Sequence, residues 1–164
     1  MPADPINPSE EFSALDGLEI VFVPVIAAGT GIPTRAEIDA GTDLTSEINT
    51  WEGFEVDPQT IDLPKLRRFD GTLPGKIQIT PGVLLMYADR GAQDVRTVLP
   101  DGTTGAIVFF DSGDVATEKM DIWPIQVNRM SKVRSTEAAT QIRVAFTHPD
   151  LPIEDVTIPA HAGP

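Results

Sequence analysis

Four groups of residues in this chain have types and spacing that chemistry could use. The first is "AAGTGIPTR" (Ala27–Arg35), a glycine-rich turn between an apolar run and a short helical pattern. That is the order of a dinucleotide-binding fingerprint, which needs a third glycine, free amides and a positive helix end. Thr34 stands where the third glycine would be. A capping box from Thr34 to Glu37 would consume the amides and bring a carboxylate to the helix start. The stretch therefore reads as a bend. The second group, "DSGDVATEKMD", holds Asp111, Asp114, Glu118 and Asp121. A calcium loop of the EF-hand kind needs alternating oxygens, a central glycine and flanking helices. The spacing here differs and the flanks look like strands, so a solvated acidic hairpin loop is expected. The two histidines, His148 and His161, form the third group, and neither has the serine or carboxylate neighbours that would make it a general base. The fourth is Lys65, Arg67, Arg68 and Lys76 around the single aromatic Phe69. For nucleic acid this is a thin signal, and contact with an acidic neighbouring subunit suits it as well. No catalytic constellation emerges, and no cofactor, metal or small-molecule substrate is expected.

Composition bounds what could position these groups. A chain of 164 residues that is 41% hydrophobic is long enough to bury a core as one domain. Its 15 prolines and 13 glycines cut it into short pieces, which suits strands better than helices. There is no cysteine, so disulfides, thiolate zinc sites and cysteine nucleophiles are excluded together. The N-terminus has no basic segment before an apolar core, and no apolar run approaches the ~20 residues of a membrane helix, so neither a secretory signal nor membrane association is expected. The net charge of −13 is uneven. Residues 1–64 hold 13 acids against one base, whereas residues 65–135 hold ten bases against eight acids. A chain this acidic should not grip nucleic-acid phosphates, yet it could surround a polyanion without sticking to it.

Periodicity supplies the elements. Residues 1–16 lack it and read as a flexible arm, ahead of a single β domain over 17–160 and a short tail over 161–164. Strands are expected at Leu18–Ile26, with Pro24 at an edge or bulge, then at Trp51–Asp57, Thr60–Leu66, Lys76–Thr80 and Gly82–Asp89. Further strands are expected at Ala106–Phe110, Asp121–Val133, Thr140–Thr147 and Glu154–Ile158. Arg67–Gly75 carries the Asp-Gly and Pro-Gly signals of a long hairpin or loop. Two short helices follow Thr34 and Gly91, the first stopped by Gly41 in a left-handed conformation and the second by Pro100. Trp51 and Trp123 are expected in the core. The fold class is mainly β: a sandwich or barrel of about seven to nine strands with one or two flanking helices.

Four segments, "TRAEIDAGTDLTSEINTWEGFEV", "DVRTVLPDGTTGAIVFFDSGD", "MDIWPIQVNRMSKVRS" and "EDVTIPA", resemble in order the tail tube (major tail) proteins of long-tailed bacteriophages, particularly those of actinobacteria. The resemblance runs from about residue 18 to 160 and is weakest over Pro64–Ile79. It implies a β-sandwich with a flanking helix that assembles into rings, usually hexameric, whose stacking forms a tube in the virion tail. It implies partners as well: other copies of the chain, a tape-measure protein, a tail terminator and distal tail proteins. DNA would pass through the lumen without specific binding, and the protein would be made in the bacterial cytoplasm. On this reading Asp111, Asp114 and Asp121 are candidate lumen acids. Lys65, Arg67, Arg68 and Lys76 are candidates for contact with neighbouring subunits. Two other readings share much of this pattern: the inner tube of a contractile tail or secretion system, and a monomeric β-sandwich binding module. The second would want exposed aromatics, and aromatics are only 6% of this chain.

Overall fold

The computed structural model describes residues 13–14, 17–66, 68–91 and 94–161. Among the described residues there are ten strands: β1 (Glu19–Val23), β2 (Thr42–Asp43), β3 (Ile48–Glu52), β4 (Glu55–Leu63), β5 (Gly71–Thr80), β6 (Val83–Tyr87), β7 (Thr104–Phe110), β8 (Lys119–Val133), β9 (Gln141–Thr147) and β10 (Ile153–Thr157). Two short helices, α1 (Arg35–Asp39) and α2 (Val95–Val98), interrupt them. The count exceeds the expected seven to nine because the two-residue β2 adds a strand that no sequence period of that length could announce. Neither helix is long and apolar enough to cross a membrane.

Eight strands form one antiparallel sheet in the order β2-β1-β7-β8-β9-β6-β3, with β10 also on β8. The 15-residue β8 joins its two halves. Its first part pairs with β7 and β10, its last part with β9, and the register slips between Val127 and Arg129. A slip of this kind sharpens strand twist and lets one strand serve two sheet directions. Side chains from both halves, including Phe22, Ile107, Trp123, Leu84, Val144 and Phe146, close on one core. The other face of β1, β7 and early β8 buries Val23, Val108, Phe110 and Ile122 beneath Ile38 of α1 and Ile158. This explains the composition of each strand. β1 and β7 are covered on both faces and read as unbroken apolar runs, while β9 is covered on one face and alternates.

The remaining pair, β4 and β5, forms a separate two-stranded hairpin. Of the stretch expected as a long hairpin or loop from Arg67 to Gly75, the residues from Gly71 onward are strand paired with β4, so the hairpin alternative is the one present. The hairpin springs from a tight root. Gly53 and Phe54 have φ of 73° and 56°. A Cβ on Gly53 would meet the Pro81 carbonyl oxygen at 2.1 Å, and one on Gly82 would meet the Phe54 ring at 2.4 Å. A left-handed conformation costs a non-glycine residue about 1–2 kcal/mol. Burial of the Phe54 ring, edge-on to Phe109 at 5.1 Å and to Trp123 at 5.6 Å, offsets that cost.

Several expectations are corrected. Gly41 is not left-handed, since the glycines with positive φ among the described residues are Gly31, Gly53, Gly102 and Gly113. It is a glycine because a Cβ there would press on the Phe22 and Ile38 carbonyl oxygens at 2.7 and 2.9 Å. Trp123 is buried, but Trp51 is 42% exposed: it lies on β3, the last strand of the sheet order, where none of the described residues covers its outer side. Pro24 follows β1 instead of interrupting it. The arm expected over 1–16 lies outside the described residues apart from Ser13 and Ala14, as does the tail beyond His161.

Candidate functional site

The glycine turn is closed by its own carboxylate. Gly31, at φ 72°, bends the chain, and its N–H donates to the Ala28 carbonyl at 3.0 Å. Glu37 accepts from the Ala27 and Thr34 amides, each at 2.7 Å, while the Thr34 hydroxyl receives the Glu37 N–H. The Ala27 amide foremost, then that of Thr34, holds the Glu37 carboxyl below the usual carboxylate range. A phosphate would have to displace an anion already seated there.

Arg35 leaves the same turn and binds two acids at once. It donates through Nε to Asp39 at 2.8 Å and through Nη1 to Asp114 at 2.6 Å. The Arg35 side chain is 12% exposed. Its hydrogen bonds hold the Asp114 carboxyl below the usual range. His161 reaches the Asp114 carbonyl oxygen at 3.2 Å, so Asp39, Asp114 and His161 could converge on a metal. The space between the two carboxylates is already taken by the Arg35 guanidinium, which hydrogen-bonds to both, so the donor set does not fit a further cation.

Asp111 and Asp121 are different. They sit near each other at the ends of β7 and β8, and Asp121 accepts the Asp155 N–H at 2.8 Å. Partial burial, then the charges of Asp121 and Asp155, pushes the Asp111 carboxyl up. Together with Glu55, Glu154 and the exposed Trp51, these two acids line an open hollow beside the hairpin root.

His148 is structural. The Gly82 N–H donates to its Nε2 at 2.9 Å, so Nδ1 carries the proton and donates it to the Pro124 carbonyl at 3.0 Å. The ring packs against Phe54 and Trp123, both at 5.5 Å, and burial pushes its pKa down. It fastens β6, β8 and β9 beneath the hairpin root. Nothing nucleophilic lies within its hydrogen bonds.

The cationic group lies on the hairpin. Lys65 and Arg68 are exposed at the tip, where the Lys65 amide donates to Asp70 at 3.0 Å, and Lys76 is exposed on β5; Arg67 falls outside the described residues. The structure adds apolar side chains that the charge pattern hides. Val56, Ile61, Leu73 and Ile77 are 38–54% exposed. The strand pairs Val56 with Ile79, Pro58 with Ile77 and Ile61 with Leu73, so they form cross-strand apolar contacts along the arm. Their signal in the sequence is the alternation itself, which also fits a strand half-buried in its own domain.

A family model described as "Phage tail tube protein" matches residues 8–161. No curated protein sequence matches the chain. Among solved structures it is similar to a subunit of the tail of an empty gene transfer agent particle, refined with C6 symmetry, at TM-score 0.54 and 11% identity over 85% of this chain and 96% of that one. It is similar to a chain of the native gene transfer agent virion at TM-score 0.53 and 9% identity, over 87% and 98%. A third likeness is to the SPP1 tail tube, at TM-score 0.55 and 13% identity, over 88% of this chain and 79% of that one. At such identities these likenesses speak for the fold.

Proposed function

The chain belongs to the phage tail tube protein family, and from that premise we propose that it is a structural virion subunit that assembles with its own copies into stacked rings forming the tail tube. The observation that carries the reading is the β4–β5 hairpin: an ordered arm with exposed apolar side chains and a cationic tip on a chain of net charge −13. A lone two-stranded hairpin is marginal in water, and open strand edges invite pairing, so such an arm is completed by another surface. The acidic surface of a neighbouring copy fits Lys65, Arg67, Arg68 and Lys76. Six subunits per ring is the proposed number, after the C6 symmetry of the similar gene transfer agent tail. Asp111 and Asp121 are the proposed lumen acids, repelling DNA so that it slides. Asp114 contributes less, because Arg35 neutralises it. The protein acts without catalysis, and a tape-measure protein, a terminator and distal tail proteins are its proposed tail partners.

The test is Lys65→Glu with Arg68→Glu, followed by light scattering and negative-stain microscopy across a concentration series. The variant is expected to keep the wild-type melting temperature and to lose rings and tubes. Tubes indistinguishable from wild type would overturn the assignment of this arm to subunit contact.

A further inference from the structure

The net charge of −13 conceals a local reversal at one end of β8. Residues 129–134 hold Arg129, Lys132 and Arg134 and no acid, and all three are exposed. Arg90, in the chain after β6, and Arg96 of α2 line the same open hollow as Lys132 and Arg134. Arg96 is engaged by Asp94 at 2.7 Å, but Arg90, Lys132 and Arg134 form no salt bridge among the described residues. At the other end of β8 the sign changes. Glu118, Glu154 and Asp155 are exposed there, also without salt bridges among the described residues, beside Asp121 and the partly buried Asp111; they outnumber the exposed Lys119, whose ammonium donates to the Thr157 hydroxyl at 2.8 Å. With 15 residues at ~3.3 Å each, β8 separates the two ends by a contour of roughly 45 Å. The two groups stand at opposite ends of that contour and form no salt bridge with each other among the described residues.

We propose that the face bearing Arg90, Lys132 and Arg134 docks on the rim bearing Glu118, Glu154 and Asp155 of a second copy, head to tail. The contact is heterologous, of the kind that closes rings or extends a stack. It gives the assembly a polarity, and it rests on the tube reading only for the identity of the partner as another copy. The competing occupant of a cationic face is duplex DNA. Two observations favour the protein partner: Asp89 and Asp101 border the cationic hollows, and a chain of −13 repels a polyanion at longer range.

The test pairs two variants, Lys132→Glu with Arg134→Glu, and Glu118→Lys with Glu154→Lys. All four side chains are exposed, so both variants are expected to melt like wild type. Each alone presents like charges at both ends, and its self-association is expected to fall at least about tenfold by analytical ultracentrifugation. Mixed one to one, they present opposite charges again, and association is expected to return and to weaken above ~0.5 M salt. No heterocomplex between two folded variants would overturn the proposal. So would a Lys132→Glu, Arg134→Glu protein that self-associates normally but no longer binds duplex DNA. Pairing of the variants, even if wild-type protein formed no tubes, would support this contact and count against the tube reading alone.

Discussion

The sheet and the hairpin are built from the same local signal and end in opposite environments. β7 buries five residues in succession, Ala106 to Phe110, because α1 and Ile158 cover one face and the other half of the sheet covers the other. In β4 and β5, with nine and ten residues, none is buried. Both regions alternate or cluster apolar residues as strands do. What separates them is what lies opposite. In the sheet the facing surface is part of the chain, while the described residues leave the hairpin without a covering surface. On the reading proposed above, an apolar strand without an intramolecular lid marks a contact surface and not a weakness of the fold.

If the contrast is correct, truncation should be costly in one region and nearly silent in the other. Phe110→Ala removes a ring with no exposed surface and is expected to destabilise the monomer by about 3–5 kcal/mol, read from urea denaturation. A loss below ~1 kcal/mol would mean that the sheet is not the organised region described. The junction between the regions should respond less, and to pH. His148 is held neutral with its pKa below the ordinary 6.5, so the unfolded chain binds the extra proton first. The stabilisation is complete above about pH 6.5 and is lost as pH falls toward the depressed folded value. Melting temperature should therefore drop between pH 6.5 and 5. His148→Gln should flatten that drop and cost about 1–2 kcal/mol at pH 7 through the lost Gly82 and Pro124 hydrogen bonds. A wild-type pH profile in the variant would rule this histidine out as the cause. The smallest effect on the monomer is expected from Ile61→Ser with Leu73→Ser, within ~0.5 kcal/mol of wild type, although assembly should be lost. Normal assembly of that variant would dissolve the contrast.

Much of the sheet is legible in the sequence because its signals are local. The run Ala106–Phe110, the alternation of Ile142, Val144 and Phe146, and the capping box of Thr34 and Glu37 each need only neighbours in the chain, and each is present. The candidate site is legible only in part. The cationic residues Lys65, Arg68 and Lys76 stand out by charge, but Val56, Ile61, Leu73 and Ile77 look like core until the fold leaves them uncovered. Asp114 looks like one loop acid among several, because its partner Arg35 lies 79 residues away. Trp51 misleads for the same reason: aromatic size argues for burial, and position in the strand order decides it.

By itself the sequence determined that this chain is β-rich, acidic and free of cysteine, and that a Thr34–Glu37 capping box closes its glycine-rich turn. These follow from residue counts, from period and from contacts within four residues. Only the tertiary structure decided that β8 serves two halves of one sheet, that Gly41 is small for lack of space, and that His148 fastens the root of an uncovered arm. Each of these depends on surfaces brought together from distant parts of the chain. Period and propensity describe what one side of a strand prefers, and the packed fold supplies what stands on the other.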